Sequence, residues 1–255
     1  MSPKQKPLNF GWLPDLPDHR DHIYSAPLEW IAKLPAKVDL RVQCPSIYDQ
    51  GQLGSCTANA IAAAMEFEQI KQKEKYFMPS RLFIYYNERV MERTVDSDSG
   101  AQIRDGIKSV GKQGDCPEKL WPYDIAKFSQ KPPVSCYTNA VKHKAVLYQR
   151  VSRIANQMKG CLASGYPFVF GFSVYDSFMT AAVAKTGHAK MPGAKDKLEG
   201  GHAVMAVGYD DENQWFIVRN SWGTGWGIKG YFTLPYDYLA DENLSDDFWT
   251  IRIVE

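Results

Sequence analysis

The sequence has little of what would mark a membrane protein, a nucleic-acid binder or a disulfide-stapled domain. No stretch approaches the roughly 20 consecutive apolar residues needed to span a bilayer. Residues 1–30 scatter proline and charge without an apolar run, so no secretory leader is read there. The default expectation is a cytoplasmic setting, with secretion left open if a leader precedes Met1 in a longer precursor. Neither sign of charge dominates: 30 basic and 29 acidic residues leave a net +1, with no block of like charge. Neither nucleic acid nor a membrane is therefore expected as a partner. Cysteine is sparse, and no two of Cys44, Cys56, Cys116, Cys136 and Cys161 are spaced C-x-x-C. That argues against a zinc knuckle or a thioredoxin-like site. The odd number leaves at least one thiol unpaired, and pairing of the other four stays open. Internal repeats and low-complexity tracts are absent.

What is present is an ordinary globular composition, with 44% hydrophobic residues over 255 positions. That suffices for one large domain or two closely packed subdomains. Residues 1–34 read as a separate arm, since Pro14, Pro17, Pro27 and Pro35 exclude regular helix or central strand. Phe10, Trp12, Leu13, Ile23 and Tyr24 imply that this arm packs on something. Asp18-His19-Arg20-Asp21-His22 is read as a solvated charged loop; it lacks further metal-ligand spacing, and no metal or organic cofactor is expected. Residues 55–75 carry the clearest helical pattern, with Ser55 as the cap. Its many small residues imply close burial. Further helices are expected near 80–91 and 101–112, and strands at 167–174, 202–209, 215–218, 230–234 and 248–254. Helices first and strands later indicate an α+β architecture.

Three segments carry chemistry. Cys56 falls on the first turn of the 55–75 helix, where the partial positive charge and unpaired N–H groups favour thiolate. Position alone would equally suit a small buried residue. Gly200-Gly201-His202-Ala203-Val204 and Arg219-Asn220-Ser221-Trp222-Gly223 flank the polar connection Asp210-Asp211-Glu212-Asn213. A hairpin centred on residue 211 would place His202 directly opposite Asn220. The asparagine oxygen would then fix one imidazole nitrogen and aim the other at a thiolate.

These segments resemble the papain family of cysteine peptidases. The resemblance runs from about residue 35 to 255, through Val38-Asp39-Leu40-Arg41, Gln50-Gly51…Gly54-Ser55-Cys56, Trp121-Pro122-Tyr123, Gly201-His202-Ala203-Val204…Val207-Gly208-Tyr209 and Asn220-Ser221-Trp222-Gly223-Thr224-Gly225-Trp226-Gly227. The 146 residues from Cys56 to His202 fit the spacing of about 130–150. The 164 from Cys56 to Asn220 suggest an insertion near residues 184–198. The resemblance implies a two-subdomain fold, one helical and one an antiparallel β-barrel-like subdomain, with the cleft between them. It assigns Cys56 as nucleophile, His202 as base, Asn220 as its orienter and Gln50 as oxyanion donor. Trp222 would cover the His–Asn contact, and Ser99, Gly100 and Gly201 would hold substrate backbone. Ser173 to Asp176 and the region near Asp247 would wall the pocket. Leu53 and Thr57 stand where the family often has Cys and Trp. Residues 1–34 sit where a propeptide would, and Trp12 to Tyr24 is expected to lie along the cleft, with packing behind the domain as the alternative. The pattern looks most like bacterial members with a short N-terminal segment.

The reading is thus a cysteine peptidase forming an acyl-enzyme thioester, acting as a monomer on a peptide or protein substrate and open to a protein inhibitor. Alternatives on the same triad are glutamine deamidation or transamidation, and a catalytically silent binding relative.

Overall fold

The computed structural model describes residues 10–255. Its centre is the helix Cys56–Lys71, in which fourteen residues, Cys56 through Gln69, are buried. A helix apolar or small on every side has no solvent face and must be enclosed. Leu28–Ala32 forms α1, and this central helix is α2. Two further helices, α3 (Arg81–Glu92) and α4 (Ile103–Lys112), pack on α2 and on each other. The 101–112 expectation starts two residues early, because Ala101–Gln102 is a short strand.

On its other side α2 meets a sheet. The strands are β1 (Trp12–Leu13), β2 (Ile23–Tyr24), β3 (Lys37–Asp39), β4 (Ala101–Gln102), β5 (Ala145–Val151), β6 (Phe168–Tyr175), β7 (Leu198–Asp210), β8 (Trp215–Arg219), β9 (Tyr231–Pro235) and β10 (Ser245–Val254). The large sheet runs β2-β5-β10-β6-β7-β8-β9, with β3 pairing β7 beyond the end of β6. All its ladders are antiparallel except β2 on β5. The sheet stays open, so the barrel-like half closes into no barrel among the described residues. Phe168, Phe170, Phe172, Phe216, Phe232 and Phe248 fill its buried face. All five thiols are free.

The arm does two things. β1 pairs in parallel with β4 at the cleft, Trp12 opposite Ala101. Ten residues later β2 adds a parallel edge strand to β5, Ile23 opposite Arg150. Trp12–Leu13 and Ile23–Tyr24 thus pair with different sheets, and the stretch from Trp12 to Tyr24 does not run along one surface. Between them the loop is not simply solvated. Asp21 pairs with Arg104 at 2.5 Å, with side chains 4% and 6% exposed. Asp15 accepts from Arg104 N at 3.0 Å and from Trp249 Nε1 at 2.9 Å. Burying these carboxylates is tolerable only because donors surround them.

Candidate active site

Cys56 opens α2, and Ser55 is its N-cap residue, but the expected side-chain cap is not made. Ser55 Oγ instead bonds the Tyr123 hydroxyl at 2.5 Å and receives Asn59 Nδ2 at 3.1 Å. The main-chain N–H groups of Ala203, Gly11 and Thr57, the last on the first turn of the helix, lie near enough to favour the Cys56 thiolate. Ala203 is the neighbour of His202 on β7, so the strand bearing the imidazole lies against the helix tip bearing the thiol.

The register joining β7 to β8 differs from the sequence expectation. Asp210 pairs Trp215, so the turn is centred later than residue 211, and a bulge between Ala206 and Gly208 shifts the ladder again. The last pair is Met205 with Arg219. Asn220 then leaves the ladder, its N–H reaching Gly230 O at 2.9 Å. Continued, the ladder would set Asn220 opposite Val204 and diagonal to His202, within reach of a long side chain. His202 Nε2 indeed lies 2.8 Å from Asn220 Oδ1. That oxygen also accepts the Ser221 N–H at 2.8 Å, so Nε2 must be the nitrogen that carries the proton. Nδ1 is left as the acceptor, buried and without a hydrogen-bond partner among the described residues.

Trp222 stacks on the imidazole with centroids 4.7 Å apart and planes 25° from parallel. Phe10 and Phe172 meet the same ring edge-on. Gln50 is fully buried and fixed at both ends of its amide: Nε2 donates to Leu53 O at 3.0 Å and Oε1 accepts from Ser221 Oγ at 2.6 Å. An isolated bridge between Asp49 and Trp222 ties the Gln50 loop to the segment carrying Asn220.

The substrate-binding candidates divide. Gly100 has φ +73 and would, with a Cβ, meet Gly11 O at 2.2 Å; Gly201 would meet Trp12 O at 2.5 Å. Both therefore touch the arm. Ser99 turns its hydroxyl to Gly100 O at 3.1 Å. Trp222 lies over His202, and the Ser173 main chain donates to Leu244 O at 2.8 Å and accepts from the Tyr238 hydroxyl at 2.6 Å. Sequence reasoning missed Tyr123, whose hydroxyl joins Ser55 to Gln50 O, and Glu88, which accepts from Thr57 Oγ1 at 2.6 Å where the expected Trp is absent. A Glu inside an amphipathic helix carries no signal of such a role.

Electrostatics also depart from expectation. Burial pushes the Cys56 thiol up to about 12, although the N–H groups around the sulfur oppose the rise. Burial likewise takes His202 down to about 4, with the Asn220 hydrogen bond acting the other way. Desolvation thus outweighs the helix terminus, and the covered site holds a neutral thiol beside a neutral imidazole. A stability consequence follows. Between pH 6.5 and about 4 the unfolded chain takes up a proton that the folded His202 refuses, so acidification through that window destabilises the fold. The loss amounts to about 3 kcal/mol at about 1.4 kcal/mol per pH unit. Urea titrations should show a shallower acid loss for His202→Gln than for wild type; identical slopes would contradict a neutral buried imidazole.

The papain family cysteine protease model matches residues 34–243. The chain is 48% identical over 272 aligned positions to an uncharacterized peptidase C1-like protein of Acanthamoeba polyphaga mimivirus, covering 96% of this chain and 87% of that one. The crystal structure of xylellain, a cysteine protease from Xylella fastidiosa, superposes with a TM-score of 0.91 at 48% identity, covering 99% and 98% of the two chains. Digestive procathepsin L 3 of Tenebrio molitor shares the fold at a TM-score of 0.71 and 20% identity, over 90% of this chain and 72% of that one. With a thiol at a helix tip, an Asn-steadied imidazole and these likenesses, the chain belongs to the papain family of cysteine proteases and is a peptidase.

Proposed function

We propose that this peptidase acts through Cys56, His202 and Asn220, with Gln50 as an oxyanion donor, and that residues 10–13 hold it latent. The observation that carries the reading is His202: Nε2 is committed to Asn220 at 2.8 Å, Nδ1 is left to accept, and the main-chain N–H of Ala203, next on the strand, favours the Cys56 thiolate. In the reaction, Cys56 Sγ attacks the peptide carbonyl carbon while its proton passes to His202 Nδ1. The carbonyl electrons move onto oxygen, where Gln50 Nε2 and the Cys56 N–H stabilise them. Collapse expels the amine, which takes the proton from His202, and leaves a thioester. Water, deprotonated by His202, hydrolyses it and restores the thiol. Asn220 keeps the imidazole in one tautomer throughout, and Trp222 shields that contact from water.

The arm reading rests on contacts. Gly11 O accepts the Ala101 N–H at 2.7 Å, and a Cβ at Gly11 would fall 1.7 Å from Gly54 O, so this backbone lies flat across the entrance to the thiol. The arm is accordingly read as a propeptide-like segment, with residues 35–255 as the peptidase domain.

A peptidyl epoxide should modify Cys56 alone among the five cysteines, seen as one adduct on peptide mapping. Modification elsewhere, or none once the arm is displaced, would sink the assignment. Gln50→Ala should lower kcat by about 100- to 1,000-fold with KM little changed, as for loss of one oxyanion donor.

A further inference from the structure

Trp12 occupies a slot one residue along from Gly11, the residue over the thiol. Two walls of the slot are bare backbone: a Cβ at Gly171 would lie 1.9 Å from the indole Cε2, and one at Gly201 would lie 2.8 Å from Cε3. The polar end is Asp247, only 1% exposed, whose Oδ2 accepts the indole N–H at 3.0 Å. The same oxygen accepts Asp15 N–H at 2.8 Å. Asp247 has φ +60 and stands where β10 loses register against β6, between Asp246 and Trp249. Its other oxygen accepts from Arg150 at 3.0 Å, and Arg150 is held in turn by Asp246 at 3.1 Å.

We propose that this slot is a specificity pocket of the peptidase that selects a tryptophan side chain in the substrate, with Gly171 and Gly201 as its walls and Asp247 as the deciding residue. The proposal rests on the reading of Cys56 as nucleophile. When the arm leaves, Asp247 Oδ2 loses both Trp12 Nε1 and Asp15 N. A buried acceptor left unmade is costly, so a substrate that restores a donor there is favoured. Phenylalanine fills the space and leaves the acceptor bare. Leucine underfills a slot opened by two glycines. A substrate guanidinium meets Arg150, which stays on the opposite oxygen through its tie to Asp246. Indole alone among the natural side chains combines a large flat body with one N–H at its edge.

The experiment uses the full-length protein carrying Gly11→Ala and Trp12→Ala together, which keeps the chain, lifts the backbone from the thiol and empties the slot. Rates of Cys56 inactivation are measured with aminoacyl epoxysuccinates carrying Trp, Phe, Leu or Arg next to the warhead. At pH 8.5, above the value of about 7 to which burial raises Asp247, the Trp reagent should act about tenfold faster than the Phe reagent, the value of one hydrogen bond to a charged acceptor. Asp247→Asn should erase that advantage. Asparagine accepts the left-handed backbone, and Arg150 will hold its oxygen, turning the amide N–H₂ against the indole N–H. Gly171→Val should slow the Trp and Phe reagents alike. Equal Trp and Phe rates, or a Trp advantage that survives Asp247→Asn, overturn the slot assignment while Cys56 is still labelled. If no reagent labels Cys56 although limited proteolysis cuts within residues 10–13, so that the arm has lifted, the nucleophile reading itself has failed.

Discussion

A single methyl group placed on Gly11 should switch the full-length protein on. In the closed arrangement the Cβ of Gly11→Ala would stand 1.7 Å from Gly54 O and 2.5 Å from Gly54 C, both main-chain atoms of the loop that leads into α2. Neither can yield as the end of a flexible side chain would, so the arm must lift. Overpacking of this kind costs at least about 1–3 kcal/mol, and a backbone collision exceeds the ordinary case. Activity scales with the fraction of molecules whose cleft is open, so kcat/KM should rise by about 100-fold. Lifting the arm also readmits water. The thiol, pushed up to about 12 by burial, should fall toward the range its helix terminus favours, and the imidazole should climb from about 4. Alkylation of Cys56 at pH 7 should therefore accelerate with peptide cleavage. If Gly11→Ala cleaves peptides and reacts with iodoacetamide at wild-type rates, the latent reading is wrong.

In that opened background, Cys56→Ala and His202→Ala should each lower kcat by about 10,000-fold or more, and the double variant should be no worse than either alone. Residues acting as one unit fail together: a thiol without its base seldom ionises usefully, and a base without its thiol has nothing to activate. Asn220→Ala should cost less, since the imidazole survives but loses the hydrogen bond that fixes its tautomer and aim. The pH–rate profile separates these cases, because His202→Ala removes a titrating group and Asn220→Ala only moves it. Additive losses in the double variant would show that the two side chains do not share a step.

Local pattern was legible in the sequence; long-range geometry was not. The helix at Cys56 was readable because small and apolar residues fill every side of it, and the strand near residue 202 because its residues favour the extended chain. Gly200-Gly201-His202 and Asn220-Ser221-Trp222 carried the site. Their contact survived a wrong register: a later turn and a bulge near Val207 moved Asn220 to a diagonal neighbour, and the side chains are long enough to bridge that. No local rule shows a bulge whose partner strands lie elsewhere in the chain. The Ser55 cap failed for a similar reason, since Tyr123, distant in sequence, offers its hydroxyl. The thiol's ionisation was misjudged because helix position is visible in sequence, whereas cover by Gly11 depends on how a proline-rich arm folds back. The charged stretch around Asp21 looked solvated because its partner, Arg104, lies 83 residues away.

The two docking points of the arm have a kinetic consequence. Residues 23–24 are stitched to one sheet edge while residues 12–13 pair with Ala101–Gln102, so if the arm is the latch proposed above, blocker and target are joined by about ten residues of one chain. A short tether of this kind sets a local concentration on the order of millimolar, whatever the concentration of protein in solution. Dilution cannot relieve such a plug, and reclosure after each opening is first-order. A cut between residues 14 and 21 would change that at once: the severed tip would become an ordinary diffusing peptide, and the same contacts that sufficed on a leash would no longer hold the cleft shut.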